Sequence, residues 1–201
     1  LFIALLITSF AFKEKSFGLK ILPLGFVLGI MFMTNTWDFG SYFLLTGVTA
    51  FLFNLKKRGL SLDAVFRTSL FAGVVFIIGL IFALPFILNF ESIAQGFDLV
   101  KARTPLWQLG VLWGFPAILS AIFAPLLLRS KLQKSDLLVV SLLVTSWILI
   151  TLPEVIYVKY IYIASHNRAK TMFKLTYQAY VMFYFSSGYI AVRSLTLIRK
   201  V

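Results

Sequence analysis

Asn35, Trp37 and Asp38 stand together in MTNTWDFGSY (residues 33–42), between two apolar runs and with no lysine or arginine within ten residues of the centre. A carboxylate so placed either caps the helix that follows or faces a polar interior, where it can take or give a proton. Glu154, directly after Pro153 and near the end of an apolar run, either pairs with a nearby Lys or faces such an interior. At mid-membrane an acid costs about 2.5–3.5 kcal/mol on insertion scales, and less near the interface.

A second constellation is SHNRAKTMFKLTYQAY, residues 165–180. Ser165 and Asn167 are the N-cap candidates for a last helix, which puts Arg168, Lys170 and Lys174 in its first two turns. The helix dipole already presents positive charge there. Thr171, Lys174 and Gln178 fall within an arc of about 60° at 100° per residue, a polar stripe entering the membrane. A helix N-terminus reinforced by Arg and Lys suits an anion such as phosphate. The bland alternative is snorkelling to lipid headgroups, or pairing with Glu154 and Asp38. Gln178 lies too deep to snorkel and points into the bundle, where hydrogen bonding between helices also accounts for it.

The third stretch is RTPLWQLGVLWGFP, residues 103–116. Thr104-Pro105 marks a helix start, Trp107 suits an interface, and Gly110 with Gly114 allows close helix contact. Arg103 is either a binding residue or another interfacial cation. His166, the single histidine, belongs to the same side and cannot supply a zinc site alone. Phosphate-loop and nucleophile-elbow patterns are missing. A hard cation such as Mg²⁺, held by Asp38 and Glu154, stays open.

These residues must be positioned by membrane helices. The 201 residues are 60% hydrophobic and 13% charged, with a mean hydropathy of +0.95. A water-soluble domain of that composition would expose large apolar patches. The apolar runs approach the roughly 20 residues that cross a bilayer as helix, and the alternation of a membrane barrel is lacking. Spans are expected near 1–12, 19–36, 38–55, 68–90, 107–129, 137–158 and 170–192, seven in all. The expected fold is an all-α polytopic helix bundle forming one membrane domain over 1–201. Its first span, opening at Leu1 and only twelve residues long, reads as truncated, and the chain as a fragment of a longer protein. The chain has no cysteine, so it makes no disulfide or thiolate metal site.

The net charge of +12 is dispersed over short loops and forms no stripe for nucleic acid. Thirteen cations fall on one face of the expected topology. The other face has six: Lys101, Arg103, Lys159, Arg168, Lys170 and Lys174. The positive-inside rule puts the first face, with the C-terminus, in the cytoplasm. Asp38, Glu91, Asp98, Glu154, His166 and Arg168 are then extracytoplasmic, while Glu14, Asp63 and Asp136, each in a basic loop, read as ordinary solvated charges.

NTWDFGSY at 35–42, RTPLWQ at 103–108, PEVIYVK at 153–159 and RAKTMFKLTYQAY at 168–180 resemble the YYY family of polytopic membrane proteins from bacteria and archaea. That family is placed with the GT-C type glycosyltransferases. The resemblance implies that Asn35, Trp37 and Asp38 form the family's Asn-Thr-Trp-Asp turn and that Glu154 lies in its Pro-Glu segment. Arg168, Thr171, Lys174 and Gln178 would occupy its Arg-x-x-Thr-x-Phe-Lys positions. Gly40-Ser41, Tyr160 and Lys170 depart from the pattern, standing for Pro-Thr, Asp and Asn. The tyrosine triplet and an Asp-Leu-His segment would belong to a remainder of the protein preceding Leu1.

The expectation is a glycosyltransferase, or part of one, in a prokaryotic plasma membrane. It would use a polyprenyl-phosphate sugar at the outer face. Asp38 and Glu154 are the candidate catalytic acids; Asn35, Trp37, Arg103, His166, Arg168, Thr171, Lys174 and Gln178 are the candidate substrate-binding residues. The alternative is a transporter or lipid-phosphate-binding module without catalysis.

Overall fold

The computed structural model describes residues 1–11, 17–160 and 168–199, apart from the side chains of 11 and 17–20. The chain is an all-α membrane helix bundle in two compact units, Leu1–Glu91 and Ser92–Val201. Its seven α-helices, counted among the described residues, correspond one to one with the seven apolar runs.

The first unit holds α1 (Phe2–Ala11), α2 (Phe17–Thr34), α3 (Thr36–Arg58) and α4 (Leu62–Ile87). The last of these is long and apolar enough to cross a membrane. It begins six residues before the expected 68, because Ser61 Oγ accepts from the Ala64 amide at 3.3 Å and caps it. Asp63 is therefore a first-turn acid. It pairs with Arg58 and, at 2.9 Å, with Arg67 one turn on. Chain reversal between α3 and α4 uses Gly59 at φ +68, a conformation that other residues enter only at a cost.

Packing between α2 and α4 depends on small residues. A Cβ on Gly29 would lie 2.7 Å from the Gly79 carbonyl oxygen, and one on Gly25 would run into Ile78. The two backbones approach as in other small-xxx-small pairs. Around that contact Phe39 packs edge-on to Phe32 at 5.2 Å and meets Phe76 at 5.4 Å. Gly110 and Gly114, the positions expected to give close contact, have nothing within 4 Å of an added Cβ. Gly29→Val is expected to cost about 1–3 kcal/mol by overpacking. Gly114→Ala should be neutral or stabilising by up to about 1 kcal/mol through helix propensity. Thermal unfolding of the two variants in detergent checks the contrast.

The second unit contains β1 (Ala94–Leu99), α5 (Leu106–Leu128), α6 (Lys134–Thr151), a 3-10 turn (Leu152–Glu154), β2 (Ile156–Tyr160) and α7 (Ala169–Ile198). The segments Leu106–Leu128, Lys134–Glu154 and Ala169–Ile198 each have the length and apolarity of a span. Of these α6 is the most enclosed, and its buried Ser141 and Ser146 donate to carbonyls one turn back at 2.7 Å. The backbone therefore satisfies their hydroxyls.

The expected span to residue 158 ends at Thr151 instead. Pro153 lacks the amide that would continue the helix, and Val155, Ile156 and Val158 are β-branched. Ile156–Tyr160 form β2, which pairs antiparallel with β1, Phe97 opposite Val158 and Leu99 opposite Ile156. The register shifts between Ala94 and Gly96, where Gly96 at φ +118 forms a bulge. This ribbon replaces an expected loop at β1 and, at β2, the end of the expected span with the two residues after it.

Candidate functional site

The ribbon, the head of α5, the tail of α6 and the head of α7 meet at one end of the second unit. There the Glu154 carboxylate closes a clasp. Glu154 Oε2 accepts from the Thr104 amide at 2.8 Å and from Arg168 Nη1 at 2.7 Å, while Oε1 accepts from the Thr104 hydroxyl at 2.7 Å. The hydroxyl in turn accepts from Arg168 Nη2 at 2.9 Å. Three segments distant in sequence are thus joined through one charged, mostly covered group. Such charge-assisted, mutually oriented bonds are the stronger kind.

Just beyond the clasp, Thr171 is buried on the first turn of α7 and its hydroxyl accepts from the Val158 amide of β2 at 3.0 Å. Gln178 is also buried. On the same helix face Lys174 is half-buried, and among the described residues it has no hydrogen-bond or ion-pair partner. Lys170 is exposed, its Nζ 4.8 Å from the Tyr160 ring centroid. Arg103 is exposed next to Thr104.

On the ribbon, Asp98 pairs with Lys159 at 3.0 Å and accepts from the Leu99 amide at 2.9 Å. The Lys159 hydrogen bond, then that amide, hold the Asp98 carboxyl below its ordinary value, and the same pair holds Lys159 above its own.

In the first unit Asn35 is the N-cap of α3, with extended backbone at φ −158, ψ 100, and Asp38 stands in the first turn. The Asn35 side-chain amide donates to Asp38 Oδ1 at 2.8 Å. A first-turn acid complements the helix dipole. The cap position weighed for Asp38 is held by Asn35 instead, with Asp38 inside the first turn and Trp37 half-buried beside it.

At the opposite end of α6 and α7, Asp136 is fully buried. Arg193 grips it bidentately, Nε to Oδ1 and Nη2 to Oδ2, both at 3.0 Å. The Tyr189 hydroxyl donates to Oδ1 at 2.7 Å and lies 2.8 Å from Ser135 Oγ. Oδ2 also accepts from the Gln133 amide at 2.8 Å, half of a capping box. Reading Asp136 as a solvated loop charge was therefore wrong: its neighbours in sequence are basic, but its partner is on α7. That helix runs to Ile198, past the expected 192, and so carries Arg193 on its last turns.

Glu154 and Arg168 are thus brought together, with Thr171 and Gln178 buried along α7. The N-cap of α7 is Arg168, while Ser165, His166 and Asn167 lie outside the described residues. Thr104, read only as a helix start, proves to be the third member of the clasp. Its signal was the hydroxyl set immediately before Pro105, on a backbone held out of the helix.

The comparisons with known proteins agree with this membrane architecture. A family model described as "Uncharacterized membrane protein (DUF2298)" matches residues 1–125 and 119–183. The chain belongs to this family. Those DUF2298 segments hold every candidate residue from Asn35 to Gln178, whereas Tyr189 and Arg193 lie beyond them. No curated protein and no solved structure matches the chain.

Proposed function

We propose that this DUF2298 chain is a glycosyltransferase of the GT-C type, or part of one, acting on a polyprenyl-phosphate-linked sugar at the extracytoplasmic face of a prokaryotic plasma membrane. The resemblance of its four motifs to the YYY family supports the reaction class. The excess of basic residues in the other loops supports the sidedness.

Lys174 is the observation that carries the reading. Burying an ammonium without a counterion is unfavourable, so a half-buried lysine beside the polar Thr171 and Gln178 is suited to a visiting anion. The head of α7 adds its dipole, and Lys170 and Arg103 add charge. In this reading Lys174 holds the lipid phosphate and Arg168 is a positioning residue. Asp38, its carboxylate oriented by Asn35 within the first unit, is proposed as a catalytic acid on the resemblance of its motif and not on any geometry shared with Lys174. Glu154, with its lone pairs taken by three donors, holds Arg168 in place.

That engagement of Glu154 favours one second reading, a lipid-phosphate-binding module or transporter without catalysis. Lys174→Ala in the full-length protein is expected to weaken binding of a short-chain polyprenyl phosphate at least about tenfold, the equivalent of 1.4 kcal/mol, with Lys174→Arg restoring part of it. Unchanged affinity overturns both readings. Binding and transport by the unaltered protein with no sugar transfer would leave the second alone.

A further inference from the structure

The ribbon of the second unit exposes apolar side chains that the helices do not cover. Phe97 and Leu99 are 74% and 66% exposed, large values for side chains of that kind. Alternation along β1 puts both on one face, while Asp98 turns to the other, where Tyr157 and Lys159 engage it. The acid of this strand is therefore neutralised away from the apolar face.

Position supplies the second argument. The strand leads through residues 100–105 into α5, and β2 follows the end of the α6 span within residues 152–155, so both strands are tied to span ends. Trp107, 68% exposed on the first turn of α5, is of the type enriched at membrane–water interfaces. Lys101 and Arg103 are exposed in the connection, and among the described residues neither has an ion-pair partner. Apolar and aromatic side chains flanked by unpaired cations are complementary to a headgroup layer containing anionic lipid.

From this we infer that the Phe97–Leu99 face of β1 lies on the headgroup layer of the bilayer that α5 and α6 cross, anchoring the ribbon there, with Lys101 and Arg103 against anionic lipid. The anchor is separate from the glycosyl-transfer reading and stands whether or not that reading does. It would hold the clasp end of the unit at a fixed depth, because β2 continues from Glu154 and is bonded to Thr171.

Single cysteines test it directly, because the chain has none of its own. Spin labels at Phe97→Cys, Leu99→Cys and the control Gln95→Cys are placed in nanodiscs containing anionic lipid. Labels at 97 and 99 are expected to be accessible to oxygen and shielded from a water-soluble nickel chelate, while the label at 95 is open to both. Exchanging the anionic lipid for a zwitterionic one should raise nickel access at 97 and 99. Water-like access at both positions in anionic nanodiscs overturns the inference, as does shielding from oxygen and nickel alike, the signature of a protein partner such as an added strand.

Discussion

Arg193→Ala is expected to destabilise the second unit by about 3–5 kcal/mol, the usual cost of leaving a buried charge without its partner. Asp136 is fully covered, and two of its four close contacts come from the one guanidinium. Without Arg193 the carboxylate keeps Tyr189 and the Gln133 amide, which orient it but bring no positive charge. Asp136→Asn with Arg193→Gln should lose much less than the two single changes added together, since the pair then leaves as a unit. Chemical unfolding followed by tryptophan fluorescence measures this. A loss below about 1 kcal/mol for Arg193→Ala would place the pair among solvated ion pairs, whose contributions are of that size.

Glu154→Ala is expected to give the next largest effect, about 2–3 kcal/mol. This lies below the range for a fully buried pair, because Glu154 and Arg168 retain 13% and 23% side-chain exposure. Three donors lose their acceptor at once: the Thr104 amide, the Thr104 hydroxyl and Arg168 Nη1. Because Thr104 precedes α5 and Arg168 caps α7, faster hydrogen exchange should begin at the starts of those helices. Thr104→Val isolates the smaller part, leaving the ion pair and removing one hydroxyl, about 1 kcal/mol. Equal losses for Thr104→Val and Glu154→Ala would mean that the hydroxyl rather than the charge closes the clasp.

The two clusters were unequally legible. Glu154 and Arg168 each stood out singly, as an acid and a cation at span ends, and pairing between them was an open alternative. Asp136 was hidden by its surroundings, since Lys131 and Lys134 suggest a solvated loop. Tyr189 and Arg193, four residues apart and thus on one helix face, carried the only hint. The glycine contacts misled in the same way: Gly110 and Gly114 have the required spacing yet face open space, while Gly25, Gly29 and Gly79 make the close approach. Spacing shows that a face is small, not whether another backbone lies opposite.

The sequence by itself determined the membrane class and the number of helices, because hydrocarbon requires long apolar runs with their backbone bonds satisfied internally. It also put a helix start near Asp38, two residues from the observed start at Thr36, where neighbours along the chain suffice. Only the tertiary structure decided that Ile156–Tyr160 pairs with Ala94–Leu99 as a ribbon, and which charge meets which. Those outcomes depend on partners far apart in the chain. An ion pair in a membrane bundle is fixed by which helix ends lie side by side, and local composition does not encode that.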